Sequence, residues 1–183
     1  VDARKEEEMV ALFDRVEAEI GPIEACVFNI GANVRFPIGD TTARVFFKVW
    51  EMACFGGFLA GREAARRMTP RGHGTIIFTG ATASIRGREG FAAFASAKHG
   101  LRALAQSMAR ELGPKGVHVA HTIIDGAIDT AFIRDNFPER YAMKDRDGIL
   151  NPEHIADAYW GLHAQPRDAW THELDLRPWM ESF

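Results

Sequence analysis

Three short apolar runs limit what this chain can fold into. They are ACVFNI at 25–30, TIIF at 75–78 and VHVAHTII at 117–124. Each is of strand length, and each pair is separated by a stretch whose apolar residues recur at helical spacing. Strands that alternate with helices imply a parallel sheet covered by helices on its faces. Before the first run, residues 3–20 carry Met9, Leu12, Phe13, Val16 and Ile20 on one helical face, and Gly21-Pro22 stop it. Thr41 or Thr42 can cap a second helix that runs to about Met68, with Gly56-Gly57 marking a break or kink. A third helix spans 91–112 and ends at Gly113-Pro114. Asn151 caps a fourth, with Pro152 at its first position, running to about residue 164. The segment 125–150 reads as a loop, and THELDL at 171–176 as a closing, alternating strand.

Composition narrows the function. The chain has 183 residues, 46% of them apolar, which is enough for one sizeable core. Its 22 Lys and Arg against 25 Asp and Glu leave a net charge of −3, so a nucleic-acid partner held by phosphate neutralisation is not expected. No apolar run reaches membrane-span length, and no signal peptide is visible. Cys26 and Cys54 lie in apolar surroundings, which excludes a disulfide scaffold and points to a reducing, cytoplasmic setting. No His, Cys, Asp or Glu cluster has metal-ligand spacing.

In parallel sheets of this kind, ligands sit beyond the carboxyl ends of the strands. The first strand end reads Asn29-Ile30-Gly31-Ala32-Asn33. The second reads Thr79-Gly80-Ala81-Thr82-Ala83-Ser84, then Gly90-Phe91-Ala92-Ala93-Phe94-Ala95-Ser96-Ala97-Lys98. The third reads Asp125-Gly126-Ala127-Ile128-Asp129-Thr130. Together these resemble the short-chain dehydrogenase/reductase family, over nearly the whole chain and most specifically from Gly74 to Thr130. The resemblance implies an NAD- or NADP-dependent oxidoreductase acting on a small carbonyl or alcohol. The implied fold is a Rossmann-type, doubly wound parallel sheet in a three-layer α/β/α sandwich. It further implies a homodimer or homotetramer, with the two long helices paired between subunits. The family's Tyr-x-x-x-Lys pair shares one helix face because positions i and i+4 do so. Its ammonium lowers the phenol pKa and binds the nicotinamide ribose, and its phenol works as general acid or base.

The sequence departs from that pattern. Lys98 is retained, but Phe94 stands at the Tyr position, Ala81 at the Ser position and Ala53 at the Asn position. Phe has no proton to give and Ala has no hydroxyl. Asp125-Gly126 replaces the family's Pro-Gly, so a carboxylate faces the nicotinamide end. Thr82 and Ser84 are candidates to supply a hydroxyl, or else they satisfy the turn. Tyr141 and Tyr159 are the two phenols, the first in the loop that the resemblance assigns to substrate and the second in core or interface. Arg62 and Arg66 share a face that reads as solvated or as a subunit contact. The resemblance places Asp2, Asn29, Gly31, Ala32, Thr79, Lys98, Gly126, Ile128 and Thr130 against the cofactor. No Gly-x-x-x-Gly-x-Gly follows a strand near Val1, and the pattern there opens inside a helix. The expectation is therefore one partial, N-terminally truncated NAD(P)-binding domain over 1–183, with the substrate loop and helix at 131–164. A relative that has lost catalysis and serves as a nucleotide-binding or assembly partner is the alternative.

Overall fold

The computed structural model describes residues 1–182; Phe183 lies outside them. Its sheet has four parallel strands in chain order: β1 (Ala25–Phe28), β2 (Thr75–Thr79), β3 (His118–Ile124) and β4 (Glu173–Leu176). The strands fall on the four expected runs. β2 and β3 are the buried middle, with every β3 residue buried, while β1 is an edge strand that leaves Val27 exposed. An apolar run without alternation is what a strand covered on both faces requires.

Side-chain alternation sorts the helices. Ile76, Phe78 and Val119 point to one face and pack with α1 (Glu6–Glu19), α3 (Gly56–Arg71) and α4 (Ala92–Leu112) through Met9, Phe13, Leu59, Met68 and Leu101. Ile77 and Ala120 point the other way, onto Leu162 and Tyr159 of α7 (Pro152–His163). Three layers result. Every step across the sheet goes in the same direction, yet α7 lies opposite α3 and α4. The β3–β4 crossover is therefore opposite in hand to the two before it, against the usual uniformity of such connections.

Helix starts follow the capping rule. Thr42 accepts from Val45 N at the start of α2 (Ala43–Trp50), and Asn151 accepts from Glu153 N at the start of α7. The kink expected at Gly56-Gly57 is instead a π-helical turn just before them, Glu51–Phe55, and the helix runs straight on through both glycines. It also continues past Met68, through Pro70 to Arg71, where Gly72 at φ 68° ends it. The 125–150 segment is not a plain loop. It holds α5 (Ala131–Asn136), α6 (Pro138–Tyr141) and a 3-10 turn, Ala142–Arg146.

Arg62 and Arg66 are not simply a solvated face. With Arg67 they close on Glu63, which is only 2% exposed, at 3.1, 2.8 and 2.9 Å. Burial raises the Glu63 pKa, but hydrogen bonds from Arg67 and Arg62 outweigh it and hold the carboxyl below its ordinary range. Arg62 and Arg67 also reach Glu6 and Asp14, so the cluster ties α3 to α1.

Candidate active site

A cleft of about 870 Å³ opens at the carboxyl ends of β1, β2 and β3. Its floor is built by the strand ends. Asn29, Ile30 and Gly31 follow β1, Gly80 and Ala81 follow β2, and Asp125, Gly126 and Ile128 follow β3. α4 supplies Phe94 and Lys98, one turn apart on the face toward the cleft.

Lys98 is the chemical centre of this arrangement. Its side chain is nearly fully buried, and Nζ donates to Thr79 O at 2.7 Å and to Ile30 O at 3.2 Å. An ammonium has three N–H donors, so one is left for a ligand. Burial pulls its pKa from 10.5 down to about 8, which leaves it charged at neutral pH. The Phe94 ring centroid stands 5.9 Å from Nζ, a cation–π contact. Ala81 also lines the cleft and brings no hydroxyl. Ala53 does not line it. It is fully buried among Val49, Phe94 and Ala97.

The nearby hydroxyls are already engaged. Ser84 Oγ turns back to accept from Ala81 N at 3.1 Å and is fully buried, so it stabilises the turn rather than facing the cleft. Thr82 lines the cleft, and its Oγ1 donates to Asp125 Oδ1. Asp125 is 2% exposed. Its second oxygen faces Arg177 Nη1 at 3.2 Å and Arg86 Nη2 at 3.7 Å, without a hydrogen bond of good geometry. Tyr159 lies on the far face of the sheet, where its OH pairs with Thr79 Oγ1 at 2.8 Å and Thr122 Oγ1 at 2.6 Å, and burial raises its pKa. Tyr141 ends α6 with Lys144 Nζ 5.7 Å from its ring centroid. Neither tyrosine lines the cleft among the described residues.

The remaining expected cofactor residues divide. Asn29, Gly31, Thr79, Gly126 and Ile128 line the cleft, Thr79 with its carbonyl rather than its hydroxyl committed to Lys98. A Cβ on Gly31 would come within 3.9 Å of Lys98 Nζ. Ala32 packs against the Phe94 cluster instead. Thr130 Oγ1 caps α5 by accepting from Ile133 N, and Asp2 is held by Arg4 at 2.6 Å; neither lines the cleft. The hydrogen bond from Arg4 keeps the Asp2 carboxyl well below its ordinary range.

Behind the floor sits His121, wholly buried on the α4 face of β3. Its Nδ1 is 3.3 Å from Glu173 Oε2, which Arg102 clamps at 2.6 Å. Burial outweighs that carboxylate and pushes the imidazole pKa down to about 4, so the ring is neutral. Two features escape sequence reading. One is the ring of arginines at the mouth, Arg86, Arg88 and Arg140; the other is the return of Glu181 and Ser182 to the cleft wall. Their contacts join segments tens of residues apart, and no local pattern encodes such pairs.

Comparison with known proteins bears on the family and the fold. A family model described as enoyl-(acyl carrier protein) reductase matches residues 1–164. A short-chain dehydrogenase/reductase of Armillaria gallica is 30% identical over 168 residues, 91% of this chain and 63% of the relative. The chain thus spans less than two thirds of that relative's length. The crystal structure of a short-chain dehydrogenase from Rhodopseudomonas palustris is 52% identical, with a TM-score of 0.81, and covers 98% of this chain and 73% of that one. The structure of ElxO with NADP bound, at 16% identity, TM-score 0.86 and coverage of 96% and 74%, shares the fold. No described helix is long and apolar enough to cross a membrane.

Proposed function

The chain belongs to the short-chain dehydrogenase/reductase family, and from that premise we propose an NAD(P)-dependent oxidoreductase that works on a carbonyl or alcohol without the family's phenol. The observation that carries this reading is Lys98, a buried ammonium in the cleft with one donor unspent. Such a donor fits the vicinal hydroxyls of a nicotinamide ribose. Asn29, Gly31, Gly126 and Ile128 are the residues that would flank the cofactor, with Asp2, Ala32 and Thr130 outside this inner set. When bound, the nicotinamide supplies hydride chemistry, and the protein supplies position and charge.

In the reducing direction a hydride adds to the carbonyl carbon and a proton must reach its oxygen. Phe94 and Ala81 cannot give that proton or hold that oxygen. Water takes the role, because Asp125 accepts from the Thr82 hydroxyl and faces Arg177 rather than holding a proton to give, and turnover is slow. A general acid in position is worth about 10²–10⁴ in rate, which sets the scale of the loss.

A second reading is favoured by Phe94 and Ala81 themselves: a relative that binds nucleotide and has given up catalysis. Its surface for assembly is the ladder Phe47, Trp50, Phe55 and Phe58, whose successive ring centroids stand 6.2, 6.1 and 6.0 Å apart. Homodimer or homotetramer formation through the long helices belongs to either reading.

One variant separates them. Ala81→Ser with Phe94→Tyr is assayed for nucleotide-dependent reduction of a panel of small ketones and aldehydes. Weak activity in the parent and a gain of about 10²-fold in the double variant supports the first reading. Activity in the variant alone supports the second. No gain, with nucleotide still bound, overturns the proposed positions of Ser and Tyr.

A further inference from the structure

The charge inside the cleft runs against the charge of the chain. The protein carries a net −3, yet four cationic side chains line the cleft, Arg86, Arg88, Arg140 and Lys98, against two carboxylates, Asp125 and Glu181. Asp125 is already compensated by Thr82 and Arg177. The surplus is positive, and it lies at the mouth.

The three arginines come from two separate segments. Arg86 and Arg88 stand on the turn between β2 and α4, and Arg140 is on α6. Arg86 makes one loose contact, 3.7 Å to Asp125. Arg88 and Arg140 make no side-chain ion pair within 4.0 Å among the described residues, whereas Arg4, Arg62, Arg67, Arg71, Arg102 and Arg177 each close on a carboxylate. Guanidiniums that line one cleft with at most a loose carboxylate contact form a site for an anion, because each presents a planar fork of donors that matches two oxygens. The same cleft offers apolar wall from Phe91, Phe94, Ile124 and Ile128.

We infer that the substrate is an oxo acid or hydroxy acid. Its carboxylate is held at the mouth by Arg86, Arg88 and Arg140, its short hydrocarbon body lies against Phe91, and its carbonyl or alcohol is directed to the floor beside Phe94 and Ala81. The inference rests on the oxidoreductase reading and names its substrate class. The arginines share the cleft with Asn29, Gly31, Gly126 and Ile128, which would flank the cofactor, but are different residues, so the two roles can be tested apart by substitution.

The test uses the full-length protein and calorimetric titration with two matched pairs: 4-oxopentanoate and its methyl ester, and 7-oxooctanoate and its methyl ester. The ester keeps the ketone and the chain and removes the charge. Titrations are run with saturating NADPH and without nucleotide. At least one acid is expected to bind about tenfold more tightly than its ester, as the loss of a charge-assisted bidentate contact implies. Arg86→Gln and Arg140→Gln each remove most of that preference, leave ester binding unchanged and leave NADPH affinity unchanged. Equal binding of acid and ester in both pairs overturns the inference, as does undetectable binding of both acids. It is equally overturned if the arginine variants lose NADPH affinity, because the guanidiniums then serve the nucleotide. If NADPH does not bind but the acid preference persists without it, the anion site stands and the oxidoreductase reading falls.

Discussion

At position 94 a single oxygen separates a proton donor from a packing residue. Phe94 holds its ring centroid 5.9 Å from the Lys98 ammonium and has no proton to give, so on the proposed reading the site keeps its binding charge while its chemistry changes. Both identities were legible in the sequence, because residues four apart on a helix share a face and the flanking glycine and alanines fix the spacing. The Thr82–Asp125–Arg177 contacts were not, since they join residues 43 and 52 positions apart that no periodicity relates. Lys98 gives the sharpest prediction at this scale. Its pKa of about 8 means that the ammonium is lost as pH rises from 7 to 9. NADPH affinity should fall across that range, and in Lys98→Met it should be weaker and independent of pH. The free protein should behave oppositely. Unfolded Lys98 keeps its proton up to its ordinary 10.5 while the folded form gives it up near 8. The unfolded state therefore binds more protons between those values, and stability rises with pH there. Denaturant midpoints at pH 7.5 and 9.5 measure the rise, and Lys98→Met should abolish it. Gly80 gives a second test, since a Cβ there would lie 2.3 Å from His121 Nε2 and 2.7 Å from Ser84 Oγ. Gly80→Ala should destabilise by about 2 kcal/mol, read as a lower denaturant midpoint at unchanged slope.

Among the elements, the long α2–α3 stretch shows what periodicity can and cannot convey. Its start at Thr42 follows from the cap, and its end at Gly72 from the left-handed backbone there. The π-helical turn at Glu51–Phe55 is invisible in the pattern, because one extra residue in a turn shifts the apolar face by less than the width of that face. The two glycines serve contact rather than bending. A Cβ on Gly57 would meet Leu101 Cδ1 at 2.4 Å and the Phe28 ring at 3.2 Å, so α3 can approach α4 and β1 only without one. Gly57→Ala should therefore cost about 2 kcal/mol despite its better helix propensity, whereas Gly113→Ala, with open space around it, should cost far less. A pair of urea titrations distinguishes steric contact from helix flexibility. If Gly57→Ala stabilised the protein, the packing account of this helix pair would be wrong. The crossover of opposite hand at β3–β4 was not legible either, because sequence order alone does not say which face a helix takes.

For the molecule as a whole, the strand runs and helix spacing specified the parallel sheet, and the strand ends specified where to look for chemistry. They did not reveal the buried charges that make folding depend on pH. His121 is neutral in the folded protein near neutral pH, because burial pushes its pKa down to about 4 from an ordinary 6.5. The unfolded state binds the extra proton between those values, so stability should fall as pH drops from 6.5 to 4, by up to about 3 kcal/mol. His121→Gln should flatten that loss relative to the parent when urea midpoints at pH 5 and 7 are compared. An equal loss in the variant would assign acid sensitivity to other groups.

The central claim is that the strand-end cleft with Lys98 at its floor is a nicotinamide nucleotide site that has lost its phenol. Calorimetric titration of the full-length protein and its Lys98→Met variant with NADH and NADPH tests it most directly. Binding of at least one nucleotide with a Kd on the order of micromolar, weakened about tenfold in the variant, is the predicted result. No binding of either nucleotide to the parent protein would contradict the account and would leave a family fold kept for assembly.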